Sequence, residues 1–288
     1  MTAIILSAVL LFTPSDAKFA HSVATSLVDC CTPRDAGTPG GTRAARFIRD
    51  TVSSVASSTY FTCRLDPFED ASLSMNNVVA EYAPSKDGNW IVFVSHYDTK
   101  KGVACPGAND GASTSGLLAA MAFAAARNPE AVPSGVNLMF LWTDGEECRV
   151  SYSANDGLHG SRRAAEALVR SGRNVAAVIC LDMLGDSDLC VSVPANCSFR
   201  LRDAAFAAAR ECGVEIRDFN MIAIDDHVPF FDRGFPAIDL IDFEYGPGGG
   251  SNAWWHTPQD TMDKVSEKSL LKAGRLAFAL AWRIAGRK

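Results

Sequence analysis

The sequence predicts an α/β protein, a three-layer α/β/α sandwich around a central mixed, mostly parallel sheet. From about residue 88, apolar runs alternate with segments of helical periodicity, which is the pattern of parallel strands joined by helices. Hydrophobic residues make up 48% of the 288 residues and charged residues 21%, a composition typical of a globular protein with a large core. Without an internal repeat or a linker, we expect one domain over residues 18–288, preceded by a candidate signal peptide over 1–17.

Each element is predicted from its own hydrophobic pattern. Helices are predicted where apolar residues recur every three to four positions, over 19–31, 42–55, 112–126, 158–170, 199–212 and 264–285. Strands are predicted over 60–66, 77–82, 90–95, 136–142, 176–183 and 236–241. The runs at 90–95 and 136–142 are continuously apolar, which indicates strands that are buried on both faces in the centre of the sheet.

Charge and hydropathy exclude two broad classes of function. The chain has 27 Lys plus Arg and 33 Asp plus Glu, for a net charge of −6, and it has no basic block. A mildly acidic chain of this kind is a poor candidate for general nucleic-acid binding. No apolar run reaches the ~20 residues that a membrane helix needs, so no membrane span is expected. We expect a monomer.

The N-terminus and the cysteines bear on the compartment. The apolar run from Ile4 to Phe12 is followed by Ser15-Asp16-Ala17, which is typical of a cleavable export signal, although an N-terminal helix or strand of the core would give the same run. We expect export, to the periplasm or the medium. Nine cysteines are an odd number, and we expect several buried thiols with one or two disulfides.

Polar side chains follow four of the predicted strands. In open α/β sheets, functional residues gather beyond the carboxyl ends of the strands. The residues found there are His96 and Asp98, Asp110, Asp144 with Glu146 and Glu147, Asp182, and Trp255 with His256. Carboxylates that converge repel one another and need a cation. Imidazole and carboxylate groups without a thiolate cluster favour zinc in a catalytic site.

These motifs resemble the zinc-dependent aminopeptidase superfamily in order and approximate spacing. The matching segments are His96-x-Asp98, Asn109-Asp110-Gly111, Asp144-Gly145-Glu146-Glu147, Leu181-Asp182 and Trp255-His256-Thr257. The resemblance implies that the metal ligands come from His96, Asp110, Glu147, Asp182 and His256. It implies that Glu146 is the general base. A binding protein that has lost its metal is disfavoured, because every expected ligand and the base are present.

A narrower resemblance is to the glutaminyl cyclases, a branch of the same superfamily. It is carried by Thr38-Pro39-Gly40-Gly41, His96-Tyr97-Asp98-Thr99-Lys100, the length of the segment from Glu147 to Gly160, Asp225-Asp226-His227-Val228-Pro229-Phe230, and Trp255. Cyclases usually have Trp where this chain has Tyr152, and often His where it has Asp239. A disulfide of the cyclases would need Cys in place of Ser95 and Ser115.

The cyclase resemblance implies a reaction and a role for each site residue. The substrate would be an N-terminal glutamine of a peptide or protein, closed to pyroglutamate with loss of ammonia. One zinc ion would bind Asp110, Glu147 and His256. Glu146 would move the protons, and Asp182 and Asp225 would hydrogen-bond near Glu146, where close carboxylates help to keep a proton available. Trp255 and Tyr152 would wall the pocket for the glutamine side chain.

The aminopeptidase alternative uses the same ligands with a second metal ion. Asp110 would bridge the two ions, and His96 and Asp182 would bind the second. Glu146 would then activate a metal-bound water. The ligand set therefore does not separate the two activities, whereas the segment from 147 to 160, the Asp225-Asp226 pair and Trp255 favour the cyclase.

Overall fold

The computed structural model describes residues 11–55, 60–247 and 252–286. Its helices are α1 (Pro14–Cys31), α2 (Pro39–Val55), α3 (Thr114–Arg127), α4 (His159–Ser171), α5 (Phe199–Cys212), α6 (Val228–Phe231) and α7 (Glu267–Ala285). Its strands are β1 (Phe61–Asp70), β2 (Leu73–Tyr82), β3 (Asn89–His96), β4 (Val136–Thr143), β5 (Val175–Asp182), β6 (Val191–Pro194), β7 (Ile216–Phe219) and β8 (Ala237–Ile241). A kinked turn, Ala108–Ser113, with non-helical backbone angles at Asp110 and Gly111, precedes α3.

The strands form one sheet in the order β1-β2-β4-β3-β5-β8-β6-β7. The central strands β4, β3, β5 and β8 are parallel, while β1 and β2 are antiparallel at one edge and β6 is antiparallel to β8. The carboxyl ends of the four parallel strands therefore meet along one edge of the sheet. The predicted mixed, mostly parallel α/β sheet is confirmed.

Helices cover both faces of the sheet because β3 is apolar on both sides. Ile91 and Phe93 pack into the larger core cluster, which includes residues of α1, α3 and α7. Val92 and Val94 point the other way, into a smaller cluster with Ala165 of α4. Alternate residues of a strand face opposite sides of the sheet, so a continuous apolar run is what burial between two helical layers requires.

Some elements differ from their predicted bounds. The short strands β6 and β7 were not predicted, since four residues carry too little periodicity to be separated from a loop. Helix α1 begins at Pro14 rather than at residue 19, with Thr13 and Asp16 forming a capping box. The capping signal lies within the segment that we interpreted as an export signal.

The candidate signal peptide falls partly outside the described residues, since 1–10 are not among them. Within the described part, Leu11, Phe12 and Ala17 are buried in the main core. Asp16 is buried as well and accepts two hydrogen bonds from Arg127, at 3.0 and 3.1 Å. A cleavage after Ala17 would remove these contacts from the folded domain.

All nine cysteines are free thiols, so the expected disulfides are wrong. Five of the nine are buried, and of these Cys31 packs in the main apolar core. Cys30 and Cys31 lie 3.1 Å apart, sulfur to sulfur, as unbonded neighbours. Ser95, which stands where the cyclase resemblance implies a disulfide cysteine, lies 2.9 Å from Thr114, hydroxyl to hydroxyl.

Among the described residues, no helix is both long and apolar enough to cross a membrane.

Candidate active site

The sheet brings the predicted ligands to one edge. His96 and Asp182 are the last residues of β3 and β5. Glu146 and Glu147 follow the end of β4, and Asp110 lies in the kinked turn between β3 and α3. His256 comes from the long connection between β8 and α7. These positions give two clusters of potential metal ligands that share Asp110.

The inner triad consists of His96, Asp110 and Asp182, all of them buried. His96 Nε2 lies 3.1 Å from Asp110 Oδ1 and 3.1 Å from Asp182 Oδ1. The second ring nitrogen of His96, Nδ1, lies 3.5 Å from Asp98. Burial alone would lower the pKa of His96, but the surrounding carboxylates raise it well above its ordinary value. Three acids thus enclose this imidazole.

The outer triad consists of Asp110, Glu147 and His256. His256 Nε2 lies 3.2 Å from Asp110 Oδ2 and 2.6 Å from Glu147 Oε1. Burial alone would lower the pKa of His256, but hydrogen bonds to these two carboxylates raise it to about 9. Lys100 lies 3.3 Å from the other oxygen of Glu147, so only one oxygen of that carboxylate faces His256.

Both triads fit zinc. In each triad the potential ligand atoms lie within 4.8 Å of one another, so one ion could contact all three. Their donors are imidazole nitrogen and carboxylate oxygen, and catalytic zinc sites combine three such protein ligands with an open position. The outer triad contacts a cavity, which supplies the open position, whereas His96 of the inner triad does not line that cavity.

The backbone around Asp110 is held by two buried residues that sequence reasoning missed. Asp260 accepts hydrogen bonds from the backbone N–H groups of Asn109 and Asp110, at 2.7 and 3.2 Å. Arg34 is wholly buried and donates to the backbone carbonyls of Tyr97, Pro106 and Gly107. No sequence signal marks Arg34, because a lone arginine in a Pro- and Gly-containing segment is usually exposed.

The structure explains why two residues of the sequence motifs, Asp98 and Gly111, are needed at their positions. Asp98 accepts hydrogen bonds from the backbone N–H groups of Glu146 and Glu147, at 3.1 and 3.2 Å, and so fixes the loop that carries both acids. Gly111 has a φ of +90°, and a Cβ added there would lie 2.9 Å from the ring of His96. Only glycine can follow Asp110 without displacing that imidazole.

Glu146 lines the cavity beside the outer triad. The hydroxyl of Tyr152 donates to Glu146 Oε1 at 2.9 Å. Burial, together with the nearby charge of Glu147, raises the pKa of Glu146 well above its ordinary value. A buried carboxyl group of this kind holds a proton more readily than an exposed one, which suits a residue that accepts and returns a proton during a reaction.

Asp182 and Asp225 line the same cavity, but neither is hydrogen-bonded to Glu146 in the described structure. Asp182 pairs with His96, and burial raises its pKa to about 7. Asp225 Oδ1 lies 3.4 Å from the thiol of Cys180 and accepts from the backbone N–H of Asp226. Both acids thus hydrogen-bond to other groups beside the cavity, and their role in keeping a proton near Glu146 stays a prediction.

Asp239, which stands where cyclases often have histidine, is fully buried in β8. Its carboxylate oxygens have no hydrogen-bond partner, and Asp239 Oδ2 lies 3.9 Å from His227 Nδ1. Burial, with the charges of Asp225 and Asp182, raises the pKa of Asp239 well above its ordinary value. The protonated acid is therefore favoured there.

The cavity has a volume of about 360 Å³, and both charged and apolar side chains line it. Tyr152 and Trp255, the two predicted substrate contacts, both line it. The Trp255 ring stacks on His256 with a centroid distance of 3.9 Å, and 43% of Trp255 is exposed. A volume of this size is typical of pockets that bind small molecules or short peptide segments.

The chain belongs to peptidase family M28, whose family model matches residues 77–281. The predicted resemblance to glutaminyl cyclases is also confirmed. The crystal structure of a glutaminyl cyclase from an Acidobacteriales bacterium is 31% identical to this chain, with a TM-score of 0.83, over 95% of this chain and 96% of that one.

Relatives compared by sequence include both activities of the superfamily. The glutaminyl-peptide cyclotransferase of Drosophila melanogaster is 28% identical over 249 residues, which is 74% of this chain and 67% of that protein. Aminopeptidase YwaD of Bacillus subtilis is 30% identical over 200 residues, which is 67% of this chain but only 40% of that protein. The cyclase similarity thus extends over more of both chains.

Proposed function

We propose that this protein is a zinc-dependent glutaminyl-peptide cyclotransferase, an acyltransferase that converts an N-terminal glutamine of peptides or proteins to pyroglutamate and releases ammonia. The observation that carries this proposal is that one ligand triad, Asp110, Glu147 and His256, lines the cavity together with Glu146. The proposed cyclisation requires one metal ion and one general base. The similarity to a glutaminyl cyclase over nearly the whole chain supports it.

The residues of the cavity have different roles in the proposed reaction. Zinc, when bound by the outer triad, supplies Lewis-acid polarisation of the γ-carbonyl group of the substrate glutamine. Glu146 accepts a proton from the substrate α-amino group as its nitrogen attacks the γ-carbonyl carbon. It then returns a proton to the amide nitrogen, and the carbon–nitrogen bond breaks to release ammonia. General acid–base catalysis of this kind contributes about 10²–10⁴-fold to a rate.

Other residues orient the substrate and the base. Tyr152 donates to one oxygen of Glu146, which leaves the other oxygen free to exchange protons with the substrate. Trp255, stacked on His256, closes one side of the cavity with an apolar ring. Asp182 and Asp225 also line the cavity, where a carboxylate oxygen can accept a hydrogen bond from the substrate α-amino group and orient it.

A second candidate function is a two-metal aminopeptidase. The specific observation in its favour is that the inner triad is complete and shares Asp110 with the outer triad. The identity to aminopeptidase YwaD is of the same order. In that case Glu146 would activate water, and the substrate would lose its first residue instead of ammonia.

The experiment that tests the proposal is mass spectrometry of a glutamine-initiated peptide after incubation with the zinc-loaded protein. We expect an intact peptide that is lighter by one ammonia. A peptide shortened by its first residue would establish the aminopeptidase. An otherwise identical peptide with an acetylated N-terminus, which has no free amine to attack, should remain unchanged.

The role of Glu146 is tested by Glu146→Gln, which removes the base and keeps the shape of the side chain. We expect turnover to fall by about 10²–10⁴-fold. The matched control is Glu130→Gln, a change of the same chemistry at an exposed position outside the cavity lining. Full turnover of a folded, zinc-loaded Glu146→Gln protein would contradict the assignment of this residue.

Export and a monomeric state remain predictions. The N-terminal apolar run motivates export, and an acidic, globular chain is compatible with a monomer. Cell fractionation followed by intact-mass measurement of the recovered protein would show where the protein acts and whether residues 1–17 are retained.

A further inference from the structure

The lining of the cavity includes an unusual apolar surface that is partly exposed, which we call the apolar shelf. It consists of Phe219, Met221, Ile222, Ile224 and Phe243. Met221 is 60% exposed, Ile222 71% and Ile224 50%, although all three are large apolar residues. Contiguous exposed apolar surface next to a pocket is characteristic of a ligand-binding surface.

The apolar shelf is built into the fold. The ring of Phe219, at the end of β7, stacks on Phe243 with a centroid distance of 4.3 Å. The loop that follows is fixed by Asn196, whose side chain exchanges two hydrogen bonds with the backbone of Ala223, at 2.8 and 3.0 Å. The carbonyl of Met221 accepts a further bond from the backbone of Ala195, at 2.9 Å. The exposed side chains are therefore carried by an anchored backbone.

The apolar shelf lines the same cavity as the catalytic groups. Asp110, Glu146, Glu147 and His256 line the cavity, and the residues of the shelf line it with them. A substrate whose first residue reacts at Glu146 must extend its second residue toward the rest of the cavity. That second residue meets apolar side chains, while the nearby carboxylates Asp182 and Asp225 disfavour a negatively charged one.

We propose that the apolar shelf selects peptides whose second residue is large and apolar. The inference rests on the proposed function, since it takes the N-terminal glutamine as the residue held at Glu146. Burial of an apolar side chain at such a surface changes kcat/KM by about tenfold, mostly through KM, because the contact is made equally in the ground state and the transition state.

The test compares three peptides that differ only at the second residue, with Phe, Gly or Asp after the N-terminal glutamine. We expect kcat/KM to be about tenfold higher for Phe than for Gly, and lower still for Asp. In the double variant Met221→Ser/Ile222→Ser we expect the ratio of Phe to Gly to fall below about threefold. Both side chains are mostly exposed, so the substitution should leave the melting temperature unchanged within a few degrees.

The matched control is Val169→Ser on α4, where the side chain is 55% exposed and lies outside the cavity lining. This variant should keep the wild-type ratio. Equal kcat/KM for the three peptides in the wild type, or an unchanged ratio in the double variant, would overturn the inference.

Failure of the proposed function gives a different result from failure of the shelf. If free glutamine is released instead of ammonia, the protein is an aminopeptidase, and the ratio of release rates for the Phe and Gly peptides still tests the shelf. If neither product forms, the shelf is tested by calorimetry, which measures the dissociation constants of the same two peptides with the zinc-loaded protein. Equal dissociation constants in that experiment would overturn the inference.

Discussion

The inner and outer triads have similar ligands, yet their surroundings differ. His96 of the inner triad is only 2% exposed and lies among three carboxylates, so its charge can be balanced by the protein alone. His256 of the outer triad contacts two carboxylates and lines the cavity. A set of ligand-type residues can therefore serve as a hydrogen-bonded scaffold at one position and as a metal site at the next.

This difference bears on which reaction the site performs. A metal ion in the outer triad alone leaves His96 to orient Asp110 and Asp182 from behind. Metal ions in both triads would require His96 to exchange its carboxylate contacts for a bond to the second ion. Because the two arrangements use the same side chains, metal stoichiometry and single-histidine variants separate them better than the ligand list does.

The largest expected effect comes from exchanging the two histidines separately. His256→Ala removes a ligand of the outer triad, and we expect loss of bound zinc and a drop in activity of more than about a hundredfold. His96→Ala should keep one zinc ion per chain, since the outer triad remains intact. Elemental analysis of the purified variants, together with the ammonia-release assay, measures both quantities.

The control for these variants is His21→Ala, which changes a histidine of α1 outside the cavity lining. It should retain both zinc and activity. A wild-type stoichiometry of two zinc ions that falls to one in His96→Ala, with loss of activity, would reverse the comparison and favour the aminopeptidase.

The next effect concerns the pH dependence of zinc binding at the outer triad. Hydrogen bonds to Asp110 and Glu147 raise the pKa of His256 to about 9 in spite of its burial. Zinc binds only the neutral imidazole, so a proton must leave His256 whenever the pH is below about 9. The zinc dissociation constant should therefore rise about tenfold for each pH unit below that value.

A titration against a competing chelator, between about pH 6.5 and 8.5, measures this slope. His21→Ala should show the same slope as the wild type. A dissociation constant that does not change over this range would mean that His256 binds zinc without releasing a proton.

The site residues at the ends of the strands could be predicted from the sequence, whereas the residues that hold the backbone of the site in place could not. β3 and β5 are recognisable because burial between two helical layers demands a continuous apolar run, and His96 and Asp182 then follow by position. Arg34 and Asp260 lie far apart in the chain and act through backbone groups, so no local pattern marks either of them.

Tyr152 shows how a site residue can be predicted while its contact is not. Its place after Glu147 follows from the cyclase resemblance, which predicts a wall of the substrate pocket. The structure adds a hydrogen bond from its hydroxyl to the general base. A hydrogen bond between two side chains depends on the course of the intervening loop, from 147 to 151, and sequence spacing does not determine that course.

The smallest expected effect tests this hydrogen bond. Tyr152→Phe removes only the hydroxyl that donates to Glu146 at 2.9 Å. Hydrogen bonds to charged groups contribute about 1.5–3 kcal/mol, so we expect kcat to fall by about tenfold or somewhat more. The lost bond stabilised the ionised form of Glu146, so its pKa should rise and the acidic limb of the pH–rate profile should move to higher pH.

Tyr82→Phe is the matched control, since Tyr82 pairs with Leu138 at the opposite end of β4 from Glu146. It should leave both kcat and the pH profile unchanged. If Tyr152 were only an apolar wall of the pocket, Tyr152→Phe would preserve the ring and leave the acidic limb in place. If the acidic limb shifts while the zinc content is retained, the Tyr152 hydroxyl helps to set the pKa of Glu146, the base beside the outer triad.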